Sequence, residues 1–219
     1  MNKLFTIFTL SLLFLTNALL AQSSDRYVDQ VFSDVTVEDG IYYGLNTTII
    51  TVPVTGMVTK QPLFFDLYTP TNDTETERPL IMYFHTGNFL PNPDNGSTVG
   101  TKKDSCLVEI CTRLAKMGYV VAVPDYRQGW NPISTDREVR VNTLINAAYR
   151  GVQDANTAVR FFKRSVAEEN NPFGIDPDKI TLWGQGTGGY ITMAANTLDQ
   201  YEDVLLPKFI GANGLPFVI

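Results

Sequence analysis

Apolar residues recur along the chain with two alternating periods, and the alternation predicts the architecture. Between Tyr27 and Pro70, short runs rich in Val, Ile, Thr, Tyr and Phe are separated by turns: Val31 to Val37, Ile41 to Tyr43, Thr48 to Val54 and Leu63 to Thr69. Such runs read as strands, here as an antiparallel edge or hairpin that starts a sheet. Asn72 to Arg78 is polar and reads as an exposed loop. Leu80 to Phe84 is continuously apolar, as a strand covered on both faces of a parallel sheet must be, and Tyr119 to Val123 repeats the pattern. Between them, Leu107, Ile110, Cys111, Leu114 and Met117 share one face of a helix stopped by Gly118. Residues 128 to 143 are irregular and polar around Trp130. From Leu144 a long helix is expected, since Ala147, Gly151, Ala155, Ala158 and Phe162 share a face, and Asn170 to Asp178 breaks it with Pro172, Gly174 and Pro177. The apolar run Lys179 to Trp183 then ends in four glycines, Gly184, Gly186, Gly188 and Gly189. A helix-compatible segment follows, Tyr190 to Leu198, and Lys208 to Ala212 is a last strand candidate.

Strands and helices alternating at this spacing predict an α/β three-layer sandwich with a mostly parallel sheet. There is no internal repeat, low-complexity tract or linker, so residues 22–219 read as one domain. The chain ends on an apolar run, Gly214 to Ile219, without a closing helix. The fold is therefore expected to be the N-terminal portion of a longer one, incomplete at its C-terminus. Residues 1–21 have the layout of a secretory signal peptide: Lys3, an apolar stretch from Leu4 to Leu15, and a small-residue exit ending at Ala21. The expectation is a secreted or periplasmic protein with no stable membrane span after cleavage.

Composition narrows the choice of partners. With 17 basic and 23 acidic side chains the formal charge is −6, and no basic cluster appears, which argues against nucleic acid. Two cysteines in an exported chain raise the question of a disulfide. Inside one helix, the five-residue separation of Cys106 and Cys111 would point them apart, so a bond requires Cys106 to precede the regular helix. Asn46-Thr47-Thr48, Asn72-Asp73-Thr74 and Asn95-Gly96-Ser97 match the acceptor pattern for N-glycosylation.

A strand, a sharp glycine turn and a helix serve two chemistries, the nucleophile elbow G-x-S-x-G and the dinucleotide fingerprint G-x-G-x-x-G. Gly184, Gly186 and Gly189 fit the second pattern. An oxidoreductase of that kind would place an acidic residue at the end of the next strand, where Asn213 stands instead. The first pattern is missed by one residue, since Gly186 occupies the nucleophile's place. Reading Thr187 as the nucleophile would shift the frame and put Gln185 where the turn needs a small residue.

Four segments decide the architecture. Phe173 to Gly184 resembles the lead-in to the nucleophile elbow of α/β-hydrolases of the carboxylesterase and lipase type. Phe84-His85-Thr86-Gly87-Asn88-Phe89 is similar to their H-G-G-G-F oxyanion segment, Val123 to Arg127 to their next strand end, and Asp154 to Phe161 to the helix before the elbow. The resemblance runs in order from about Leu63 to Leu198 and implies their fold. It also implies an oxyanion hole built from the backbone N–H groups of Gly87, Asn88 and Thr187, beside a helix N-terminus. Thr86 departs from the glycine usual at its position.

The family's reaction transfers less completely. It needs a serine at the elbow, a histidine base and an acid that orients it, and this chain has Gly186 and a single histidine, His85, which matches the oxyanion segment and not the base. His85, Asp125, Arg127 and Asp154 are read as structural. The expectation is an exported carboxylesterase-like protein, inactive or altered as an ester hydrolase, or else a non-catalytic relative that binds a ligand or partner. A small ester or carboxylate-like ligand fits either reading, and no cofactor or metal is called for.

Overall fold

The computed structural model describes residues 25–92, 94–198, 200 and 202. The first hydrophobic runs form a long antiparallel hairpin, β1 (Val35–Thr48) with β2 (Thr59–Pro70). The expected strand from Thr48 to Val54 is not one: β1 ends at Thr48, and Val52–Thr55 form a single helical turn, α1, capped by Gly56 in the left-handed region. Proline at residue 53 has no N–H to give a ladder and suits the first turn of a helix, which outweighs the β-branched composition.

The sheet continues with β3 (Arg78–Phe84), β4 (Val120–Pro124) and β5 (Ile175–Gly184), in the order β1-β2-β4-β3-β5. It is mixed: β1–β2 and β2–β4 pair antiparallel, whereas β3 pairs parallel to both β4 and β5. Helix α2 (Ser105–Lys116) covers one face, and helices α3 (Arg137–Glu168) and α4 (Thr187–Ala195) cover the other. The period-two alternation in β3 sorts its side chains between two cores. Leu80, Met82 and Phe84 join Phe65, Ala155, Phe162 and Ile191, while Ile81 and Tyr83 join Tyr68, Leu107, Cys111 and Ala115. This is the expected three-layer arrangement. Phe65, Phe161, Phe162 and Phe173 form an aromatic cluster with centroids 5.0 to 6.0 Å apart, each such pair adding about 1 kcal/mol beyond area burial.

Helix α3 begins at Arg137, seven residues before the sequence stripe shows it. Asp136 caps it, its carboxylate accepting from the Glu138 N–H at 2.8 Å. Val139, Val141 and Leu144 remain partly exposed there, so the early turns carry no buried stripe to read. Cys106 lies inside α2, and the thiols are separate, Cys106 exposed and Cys111 buried. Burial pushes the Cys111 thiol up to about 12. The leader at 1–21 and the strand candidate Lys208 to Ala212 lie outside the described residues.

Candidate functional site

The parallel strands β3, β4 and β5 end at one edge of the sheet, where open α/β sheets hold their ligands. Phe84 is in register with Gly184, so the loop after β3 and the turn after β5 start side by side. The Gln185 N–H donates to the Phe84 carbonyl at 3.2 Å.

The turn itself is an elbow. Gly186 has φ 56° and ψ −120°, a sparsely populated conformation that glycine adopts freely and that strains any residue with a side chain. Helix α4 starts at the next residue. A Cβ on Gly188 would overlap the Phe84 carbonyl oxygen and stand 2.8 Å from the His85 carbonyl, whereas one on Gly189 would meet nothing closer than 3.5 Å. The third glycine of a dinucleotide fingerprint exists for close packing of helix on strand. Here that approach is made at Gly188, the last position of G-x-S-x-G, and not at Gly189. The expected start of this helix at Tyr190 therefore moves to Thr187.

Among the described residues, the backbone amides of Gly87, Asn88 and Thr187 make no hydrogen bond. Their loop is nonetheless held in place. The Leu90 N–H donates to the Gly87 carbonyl at 2.9 Å, the Trp130 indole to the Asn88 carbonyl at 2.7 Å, and the Asn88 side chain to the Asn95 carbonyl at 3.2 Å. Asn88 and Phe89 both sit at φ 55°. Asn88 and Thr187 line a cleft of about 760 Å³, whose apolar wall includes Trp130, Leu144, Ile145, Ala148 and Ala194. Its size and lining suit a small organic ligand. Among the described residues, no three His, Cys, Asp or Glu side chains gather as a metal site, and no helix is long and apolar enough to cross a membrane.

Tyr126 is the residue that sequence reasoning missed. Its hydroxyl donates to the His85 carbonyl at 2.9 Å and lies 3.2 Å from the Thr187 hydroxyl, tying the oxyanion segment to the elbow helix. The only hint was its place at a strand end. The Thr187 hydroxyl is buried in that network, so it is not presented as a nucleophile at the elbow.

His85 is 3% exposed, stacks on Tyr126 with centroids 4.6 Å apart, and donates from Nδ1 to the Thr86 carbonyl at 2.6 Å. Burial pulls its pKa below 6.5, outweighing the Thr86 carbonyl, which pulls it up. The folded protein thus keeps the ring neutral while the unfolded chain protonates near 6.5. Stability contributed in this way is complete above pH 6.5 and declines as the pH falls below it. Since His85 is the only histidine, urea denaturation at about pH 7.5 and about pH 5.5 should show a loss that His85→Gln removes. An equal loss in His85→Gln would assign the effect to another group.

Behind the loop, Arg127 and Asp154 form a buried ion pair at 2.9 Å. Asp154 also accepts from the Arg127 N–H at 2.8 Å and from the Asn46 side chain at 2.6 Å. Of the three glycosylation patterns, Asn46 and Asn95 have their amide nitrogens committed, to Asp154 and to the Val99 carbonyl, while Asn72 is exposed in a turn.

The family model described as BD-FAE matches residues 65–208. Among curated proteins, human bile salt-activated lipase is 28% identical over 163 residues, which span 72% of this chain and 20% of the lipase. Mouse carboxylesterase 3B is 26% identical over 68% of this chain and 22% of its own. Gut esterase 1 of Caenorhabditis briggsae is 25% identical over 66% of this chain and 24% of its own. The chain thus spans between a fifth and a quarter of these relatives. A hyperthermophilic esterase from Pyrobaculum calidifontis is similar in structure, with TM-score 0.41 and 20% identity over 85% of this chain and 42% of that one. A thermostable carboxylesterase from a metagenomic library has TM-score 0.42 and 20% identity over 81% and 45%.

Proposed function

The chain belongs to the BD-FAE family of carboxylesterase-like α/β-hydrolases, and on that premise we propose that it is an exported protein that holds an ester or carboxylate ligand without hydrolysing it. The observation that carries this reading is Gly186. The elbow is formed, with its backbone in the strained conformation that lifts a serine above the sheet in this family, but no side chain stands there. His85, the only histidine, is turned into the protein, stacked and hydrogen-bonded behind the loop.

Binding needs less than catalysis. Three uncommitted amides beside an apolar cleft can hold a carbonyl or carboxylate oxygen and an organic tail. Gly87, Asn88 and Thr187 are the donors in this reading. Export rests on the sequence of residues 1–21.

The test is turnover of short-chain chromogenic esters by the purified protein. Release no faster than with heat-denatured protein is expected. Gly186→Ser alone should restore little, because His85 is buried and committed behind the loop and no other histidine lies among the described residues to act as its base. Ordinary esterase rates from wild type would overturn the proposal, whereas such rates from Gly186→Ser alone would show that a base stands within reach of the elbow.

A further inference from the structure

The two departures from the family pattern in this site touch each other. A Cβ built on Gly186 would overlap the Thr86 hydroxyl oxygen and stand 2.9 Å from the Thr86 Cβ. Thr86 and Gly186 are one hundred residues apart in sequence, yet the threonine hydroxyl lies over the elbow apex, in the space an elbow side chain would need. Its own carbonyl is fixed by the His85 ring and by the Tyr126 hydroxyl. The hydroxyl makes no hydrogen bond among the described residues, and Thr86 is partly exposed.

We propose that Thr86 and Gly186 are a coupled pair, in which the Thr86 hydroxyl takes the place of the elbow hydroxyl and serves as a ligand-binding donor next to the Asn88 and Thr187 amides. The inference rests on the binding reading above and deepens it. A threonine hydroxyl can donate to a carbonyl or carboxylate oxygen. With no base beside it among the described residues, it is not activated for attack. The site is then a receptor for amphiphilic carboxylates: the oxygens meet one hydroxyl and the two amides, and the tail lies along Trp130, Leu144, Ile145 and Ala148.

The pairing also makes a change at either position alone unproductive. A serine at 186 meets both the positive-φ strain of the turn and the Thr86 side chain. A glycine at 86 removes the obstruction but leaves the elbow without any hydroxyl.

Two measurements on the full chain test the pair. The first is calorimetric titration with 4-phenylbutyrate, a carboxylate with an aromatic tail. Thr86→Val keeps the shape and removes the hydroxyl, and should weaken binding by roughly five- to tenfold, whereas Thr86→Ser should stay within about twofold of wild type. The second is a thermal melting cycle. Gly186→Ser should lower Tm by on the order of 10 °C in the wild-type background, and by about half of that in Thr86→Gly, the remainder being backbone strain. If Thr86→Gly does not fold, Thr86→Ala removes the overlapping oxygen but keeps the Cβ at 2.9 Å, and should give a smaller part of the same relief.

Equal binding by wild type and Thr86→Val, or an unchanged effect of Gly186→Ser when Thr86 is truncated, would overturn the coupled pair while leaving the non-hydrolytic reading intact. Absence of 4-phenylbutyrate binding in wild type would overturn the donor role of Thr86. Ester turnover by wild type would instead remove the reading on which the pair rests.

Discussion

Gly188→Ala is expected to cost about 3 kcal/mol or more. The added Cβ would overlap the Phe84 carbonyl oxygen and stand 2.6 Å from its carbon. Neither partner can give way. Phe84 closes β3, is paired with Gly184, and its carbonyl already accepts from Gln185. Relief therefore requires α4 to move off the sheet, which exposes Ile191 from the core. Forcing atoms into a packed interior costs about 1–3 kcal/mol where side chains can adjust and more where backbone meets backbone. Against a total stability of about 5–15 kcal/mol, the variant should melt far below wild type or fail to accumulate.

The neighbouring glycine supplies the control. Gly189 lies within α4, and a Cβ there meets nothing closer than 3.5 Å. Gly189→Ala should be neutral or stabilising by up to about 1 kcal/mol through helix propensity and a less flexible unfolded chain. Denaturant midpoints of the two variants check both expectations. Similar losses in both would mean that the close approach of helix and strand is not at Gly188.

Asp154→Ala should cost about 3–5 kcal/mol, seen as a drop in Tm on the order of 10 °C. Asp154 is fully buried and Arg127 is 4% exposed. Removing the carboxylate leaves a guanidinium charge in the interior, where only the Thr47 carbonyl and the Gln153 side chain, with the Arg150 carbonyl at 3.3 Å, still accept from it. The same change frees the Arg127 amide and the Asn46 side chain, which both donate to Asp154. Breaking one half of a buried pair is far more costly than the net worth of the pair, because the penalty of the orphaned charge is not offset. Asp154→Asn keeps shape and one acceptor and should fall between wild type and alanine. The expected order of midpoints is wild type, Asn, Ala. An alanine variant within about 1 kcal/mol of wild type would show that water reaches Arg127.

These expectations show which parts of the fold could be read from the chain. Leu80 to Phe84 was legible as a doubly covered strand because each of its residues meets one of two cores. The elbow was legible because backbone approaches as close as those at Gly184 and Gly188 admit no other residue, so steric necessity is written in letters. The first turns of α3 were not legible. They are partly exposed and capped by Asp136, and a solvated helix shows no stripe.

Thr48 to Val54 misled because β-branched residues signal strand only where their N–H groups can join a ladder. Tyr126 and the meeting of Thr86 with Gly186 were invisible for a different reason. Both depend on contacts between segments 40 to 100 residues apart, which no local pattern encodes. The sequence did mark Thr86 and Gly186 as separate departures from one family pattern, and the structure joins them.

The central claim is that this elbow binds without attacking. It is tested most directly by the intact mass of the protein quenched during exposure to excess 4-nitrophenyl butyrate, with nitrophenol release followed in parallel. The account predicts an unshifted mass and release at the rate of heat-denatured protein. A butyryl adduct on Thr86 or Thr187, formed alongside faster release, would contradict it.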